Sequence, residues 1–117
     1  MTADAACIFC RIARGEIPAA KVYEDEHVLA FYDIAPQAPV HVLVIPKRHA
    51  GELLEARAFD DSLLAHLLRT AAEVAAQLGI DKSGFRVVTN CGPDARQSVQ
   101  HLHLHILGGK QLSLEMD

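Results

Sequence analysis

Apolar residues along the chain follow two spacings, and the switches between them outline the elements. Between Asp60 and Leu78, the residues Leu63, Leu64, Leu67, Leu68, Ala71, Ala72, Val74, Ala75 and Leu78 recur at the intervals of one helix face. Asp60, Asp61 or Ser62 can accept the free amides of the first turn, and Gly79 stands where a helix ends on a left-handed residue. The stripe is wide enough to cover a sheet and also to meet a second copy of the chain. Elsewhere the apolar runs are short and β-rich: Lys21 to Glu24, His27 to Asp33, His41 to Ile45, Phe85 to Asn90 and Val99 to Leu107. In the second run Val28, Ala30 and Tyr32 alternate with Leu29, Phe31 and Asp33. Asp25-Glu26 reads as a polar hairpin connection, and the prolines of Ile34 to Pro39 exclude a central strand there. Cys7 to Arg14 reads as one or two helical turns, closed by Gly15 and Ile17-Pro18. Runs of strands with one long helix, without regular alternation, predict an α+β fold. The expected architecture is a mainly antiparallel five-stranded sheet, one long helix and a short N-terminal helix, in a single domain over 1–117.

Composition narrows the class of molecule. With 117 residues, half of them hydrophobic, the chain has the makings of one packed core and needs no disulfide staple. A net charge of −4 argues against nonspecific binding to nucleic-acid backbones, although a small phosphorylated ligand needs only local positive potential. The first seven residues show no basic stretch followed by an apolar run, and no segment approaches membrane-spanning length. A soluble, cytoplasmic protein is expected, with no nucleic-acid or membrane partner. No glycine-rich phosphate loop of the G-x-x-x-x-G-K-[ST] or G-x-G-x-x-G type is present, which counts against P-loop and dinucleotide-fold chemistry.

The chemistry concentrates in His101-Leu102-His103-Leu104-His105-Ile106-Leu107. On a strand, side chains alternate between faces, so the three histidines share one face and Leu102, Leu104 and Ile106 the other. The leucine face would be core beneath the long helix, and the histidine face a cleft or open surface. Three readings compete. A polar sheet face rich in histidine explains the alternation but not the choice of residue. A metal site of alternate histidines lacks a neighbouring carboxylate to complete it. Nucleophilic catalysis uses the neutral imidazole nitrogen, a good nucleophile near neutral pH, with its neighbours fixing the tautomer and donating to phosphate oxygens.

With Ile8-Phe9, Gly15-Glu16-Ile17-Pro18, Asp33 through Pro39, His41 through His49, Asn90 and Gln97 through Gly109, this run resembles the histidine triad (HIT) superfamily, in its branch of histidine-triad nucleotide-binding proteins. The resemblance covers nearly the whole chain. It implies a HIT-like fold, a homodimer built partly on the long helix, and hydrolysis of purine nucleoside phosphoramidates or related conjugates. It places His103 as the nucleophile that carries a transient nucleotidyl group and His105 as the α-phosphate contact. Ser98 would meet the phosphate or leaving group within a phosphate loop of Gln97, Ser98 and Val99. Asp33 and Ile34 match the ribose-binding pair, Asn90 a polar contact to the nucleotide, and His41 a further histidine beside the catalytic strand. The bound moiety would be that of AMP or GMP, and no catalytic metal is expected. Two alternatives stay open: a dinucleoside polyphosphate hydrolase of the same fold, and a nucleotide-binding regulatory or scaffold protein whose catalysis is incidental.

Cys7-x-x-Cys10 suggests a metal before a structural disulfide in a cytoplasmic chain. His49 and His101 are available to complete four ligands, and a closed Cys2His2 set would be a structural zinc site. The resemblance points to the same four residues. Relatives often carry glycine just before Gln97 and a tryptophan in the C-terminal tail. Here those glycine positions are Ala95 and Arg96, and the chain has no tryptophan. His27 and His66 have no evident partner in the sequence.

Overall fold

A computed structural model, which describes residues 6–115, shows one antiparallel sheet. Its strands are β1 (Lys21–Glu24), β2 (Val28–Tyr32), β3 (Val40–Pro46), β4 (Phe85–Val88) and β5 (Leu104–Gly108). The spatial order β1-β2-β3-β5-β4 places β3 and β5 side by side and leaves β4 at an edge. Expectations that concern residues 1–5 and the last two residues of the tail lie outside the described part.

Both faces of the central strands are buried, as the run Val28 to Phe31 illustrates. Val28 and Ala30 point into a cluster with Val42, Val44, Leu102, Leu104 and Ile106, closed by Leu67, Ala71, Val74 and Ala75 of α2 (Asp61–Gln77). Leu29 and Phe31 point the other way, to Leu43, Ile45 and the buried Phe9, Cys10 and Ile12 of α1 (Ile8–Ala13). Period-two alternation thus marks two cores here, not one core and one wet face. The fold class expected from the apolar pattern is the one observed.

α2 starts where its capping residues place it. The Asp60 carboxylate accepts the Leu63 amide at 2.9 Å, and Gly79 follows the helix at φ +76°, a conformation that a side chain would strain. Asp25 organises the β1–β2 hairpin, accepting the His27 and Val28 amides and the Tyr23 hydroxyl. It also pairs with His66 of α2 at 2.6 Å. That pair ties helix to hairpin and gives His66 the partner that sequence alone did not reveal. A 3-10 turn at Glu55–Ala58 was not foreseen.

Two strand boundaries need correction. The last strand was expected from Val99, yet β5 begins at Leu104, because the preceding backbone groups are spent elsewhere. The His101 amide donates to Val99 O, the Leu102 amide to Ala50 O, and His103 O accepts the Thr89 hydroxyl. Thr89 takes up that carbonyl with its side chain, and β4 accordingly stops at Val88 rather than Asn90. The alternation persists all the same: Leu102 and Leu104 lie on the α2 side. The expected open histidine face is not open at its start. His101 and His103 are only 0% and 4% exposed, covered on the α1 side.

Ile106 is fully buried between the sheet and α2. Ile106→Ala should therefore cost about 2–5 kcal/mol of folding free energy, read as a lower urea midpoint at unchanged slope. A loss below about 1 kcal/mol would mean that this face is not the packed core.

Candidate active site

The pairing of β3 with β5 assembles the site. Leu43 stands opposite His105, and His41 opposite Leu107, so His41 and His105 are diagonal neighbours on the α1 side of the sheet. Their rings meet, His41 Nε2 lying 2.9 Å from His105 Nδ1. Backbone groups settle which nitrogen bears each proton, since an amide N–H only donates and a carbonyl only accepts. The Gln37 amide donates to His41 Nδ1 at 3.1 Å. His41 Nδ1 is thus bare, and His41 donates from Nε2 to His105 Nδ1. His105 is left with its proton on Nε2.

The same logic fixes His103. Its Nδ1 lies 2.7 Å from His101 O, so Nδ1 carries the proton and Nε2 keeps a free lone pair. The His103 and His105 rings are 4.9 Å apart, centroid to centroid. Burial pushes the pKa of His105 down to about 4; positive charge on His103 or His41 would push the same way, and Asp33 opposes. His41 is lowered as well, mainly by burial and against the nearby Asp33. His105 and His41 are thus disfavoured as cations, and the lone pair of His103 Nε2 stands beside an N–H donor on His105.

Asp33, His41 and His105 also lie close enough to suggest a metal site. The hydrogen bonds argue otherwise. His41 Nε2 must carry its proton while Nδ1 accepts from Gln37, so it has no lone pair to offer a cation there. Asp33 is instead an electrostatic neighbour, 3.5 Å from His41 Nε2 through Oδ2, while Oδ1 accepts the Ala35 amide in a tight turn. Ile34 beside it is fully exposed.

Cys7, Cys10, His49 and His101 converge with all four donor atoms within 4.8 Å of one another. Cys10 Sγ is 3.2 Å from His49 Nδ1, Cys7 Sγ is 3.3 Å from His101 Nδ1, and the two Nδ1 atoms are 3.2 Å apart. A tetrahedral ion with Zn–N and Zn–S bonds of about 2.0 and 2.3 Å would put its ligand atoms roughly 3.3 to 3.8 Å apart. His101 Nε2 donates to Pro46 O at 2.8 Å, which leaves Nδ1 bare and aimed at the cluster. Burial also lowers the pKa of His101, to about 4, and keeps the ring neutral. The donor set fits a closed four-coordinate ion.

The remaining positions lie on loops. Gln97 is committed: its Nε2 donates to Gly51 O and Val99 O, and its Oε1 accepts from the Gly92 amide. Ser98 is exposed, Val99 packs on the α1-side core, and Asn90 is half-buried just past β4. Arg96 adopts φ +62°, a left-handed conformation that favours glycine; Arg96 N–H···Pro93 O and Gln97 N–H···Gly92 O hold the turn. Sequence reasoning missed Phe9 as a neighbour of the site. Its ring stands perpendicular to His103, at 5.2 Å, and also packs on His101 and Phe31. The hints were its place between the two cysteines and the Ile8-Phe9 pair in the resemblance.

Comparison with known proteins gives this arrangement its family. The HIT domain model matches residues 14–112, which span the whole site except the cysteine pair. The chain belongs to the HIT domain family. The HIT fold also recurs in solved structures. A histidine triad protein from Clostridium difficile superposes with a TM-score of 0.92 at 47% identity, covering 97% of this chain and 98% of that one. A HIT family hydrolase from Legionella pneumophila Philadelphia 1 gives 0.89 at 46% identity, covering 92% and 96%. A histidine triad nucleotide-binding protein from Candida albicans gives 0.80 at 33% identity, covering 96% and 87%. Among the described residues, no helix is long and apolar enough to cross a membrane.

The lowered pKa of His105 has a definite sign. As pH falls below about 6.5, the unfolded chain takes up a proton that the folded chain refuses until about 4. Stability contributed by neutral His105 is therefore present above that window and lost within it. NMR titration should show the His105 ring changing near pH 4; a midpoint near 6.5 would contradict the buried, His41-bonded ring described here.

Proposed function

We propose that this HIT domain cleaves purine nucleoside phosphoramidates, or related nucleotidyl conjugates, through a covalent nucleotidyl group on His103. The carrying observation is the His103 Nδ1–H bond to His101 O, which in the neutral ring puts the nucleophilic lone pair on Nε2. Structural relatives support the class, one being a HIT family hydrolase and another a histidine triad nucleotide-binding protein.

In the first step His103 Nε2 bonds to the α-phosphorus while the phosphorus–nitrogen bond to the amine breaks. The departing nitrogen takes a proton from the solvent side, where Ser98 is exposed. His101 O stabilises the positive charge that the nucleotidylated imidazole acquires, through the Nδ1–H it already accepts. The His105 Nε2–H donates to a phosphoryl oxygen, together with backbone amides of Ser98 and Val99. Water then attacks phosphorus, releases the nucleoside monophosphate, returns the borrowed proton and restores bare Nε2. Asp33 and Ile34 hold the ribose side of an AMP or GMP moiety, and Asn90 adds a polar contact.

Cys7, Cys10, His49 and His101 hold zinc in this reading. Four protein ligands leave no open coordination position, so the ion supplies structure and not a catalytic water. The chain works as a cytoplasmic homodimer. Support comes from apolar side chains left uncovered on the long helix and at the sheet edge: Leu68 is 63% exposed, and Phe85 and Val87 of β4 are exposed too. Sedimentation at micromolar concentration should return twice the chain mass; a monomer there would remove the dimer from the account.

Incubation with an adenosine phosphoramidate and rapid acid-free mass analysis should find one nucleotidyl group on the peptide containing His103. His103→Ala should lose about a thousandfold or more in kcat/KM and form no adduct. Full activity in that variant would overturn the mechanism.

A further inference from the structure

His101 joins the two clusters. Its Nδ1 faces the cysteines and His49, its Nε2–H is fixed on Pro46 O, and its backbone carbonyl accepts the Nδ1–H of His103. The carbonyl that sets the tautomer of His103 thus belongs to a residue whose ring lies in the Cys2His2 cluster. Residues 101–103 precede β5 and have no strand ladder to hold them; their fixed points are Val99 O, Ala50 O and the Thr89 hydroxyl. The other wall beside His103 is Phe9, at 5.2 Å and 89°. Phe9 sits on a helix of six residues, too short to persist without tertiary support, with Cys7 as its cap and Cys10 in its first turn. Both supports of His103, the carbonyl below it and the ring beside it, are therefore carried by residues of the cluster or by the turn between its cysteines.

We propose that the Cys7–Cys10–His49–His101 cluster, when loaded with metal, is a positioning device for His103 as well as a structural staple. Four side chains fixed on one ion hold the His101 carbonyl and Phe9 in place, and these hold His103 with its proton on Nδ1. Without the ion, two thiols and two imidazoles at 3.2 to 3.5 Å have only hydrogen bonds to one another, and the short helix and the 101–103 segment lose their stronger common anchor. His103 then samples the other tautomer, in which Nε2 carries the proton and cannot attack phosphorus. The inference rests on the nucleophile reading only for its catalytic consequence; the tautomer itself is measured without substrate.

The experiment uses the full chain labelled with 15N on histidine, compared as the zinc-loaded protein, after removal of metal by a chelator, and after zinc is returned. Metal content is followed by elemental analysis, and folding by amide spectra of β1 and α2. The loaded protein should show His103 with Nδ1 protonated and Nε2 bare. The stripped but folded protein should show both nitrogens averaged between tautomers and a kcat reduced about tenfold to a hundredfold, both reversed by zinc. Cys7→Ser/Cys10→Ser should show the stripped behaviour and no rescue. If stripping unfolds the chain, His49→Ala, which keeps three ligands and leaves His101 in place, should show the same shift to a smaller degree. A folded metal-free form with His103 in the unchanged single tautomer and kcat within about twofold would overturn the proposal. A loaded protein with the expected tautomer and no cleavage would instead sink the phosphoramidase reading and leave the coupling standing.

Discussion

A single hydrogen bond organises the candidate site: the one from His103 Nδ1 to the carbonyl of His101, at 2.7 Å. A neutral imidazole has one proton and two nitrogens, and a carbonyl can only accept, so this contact decides where the lone pair lies. The proposed attack on phosphorus needs that lone pair on Nε2. The neighbouring pair is fixed in the same manner. The Gln37 amide compels His41 to donate from Nε2, and His105 is thereby left with its own donor on the far nitrogen.

The sheet makes these contacts possible. Antiparallel pairing of β3 with β5 sets His41 and His105 on adjacent diagonal positions. The leucine and isoleucine residues between the histidines anchor the other face under α2. A slip of one residue in that register would send the His105 imidazole into the apolar core, which the packing of Leu104 and Ile106 forbids. On the opposite side, α1 covers the first two histidines with Phe9 and brings Cys7 and Cys10 to His49 and His101. The HIT domain here therefore packs two cores, one that secures the sheet and one that surrounds the chemistry.

Much of this was legible in the sequence. Helical spacing from Leu63 to Leu78 located α2 within a residue or two, and alternation in the histidine run separated core from site. The four members of the cysteine–histidine cluster were named from residue type and position, and they do converge. What could not be read was where hydrogen bonds leave the ladder. Nothing in Val99 to His103 announces that its amides go to Val99 O and Ala50 O, so the strand was drawn too long. Nor does periodicity reveal what lies on top of a strand face, and the histidine face was expected open although α1 buries it. His66 showed no partner in the sequence because that partner, Asp25, is forty-one positions away. Arg96 shows the reverse case: a residue type that looked like a departure turns out to occupy a left-handed conformation, which names the constraint glycine would relieve.

The most direct measurement is a crystal structure of the chain trapped with a slowly hydrolysed nucleoside phosphorothioate conjugate. The account predicts phosphorus bonded to Nε2 of His103, with Nδ1 still donating to the His101 carbonyl at close to 2.7 Å. Phosphorus on any other atom, or a nucleotide bound with His103 turned away from that carbonyl, would contradict it.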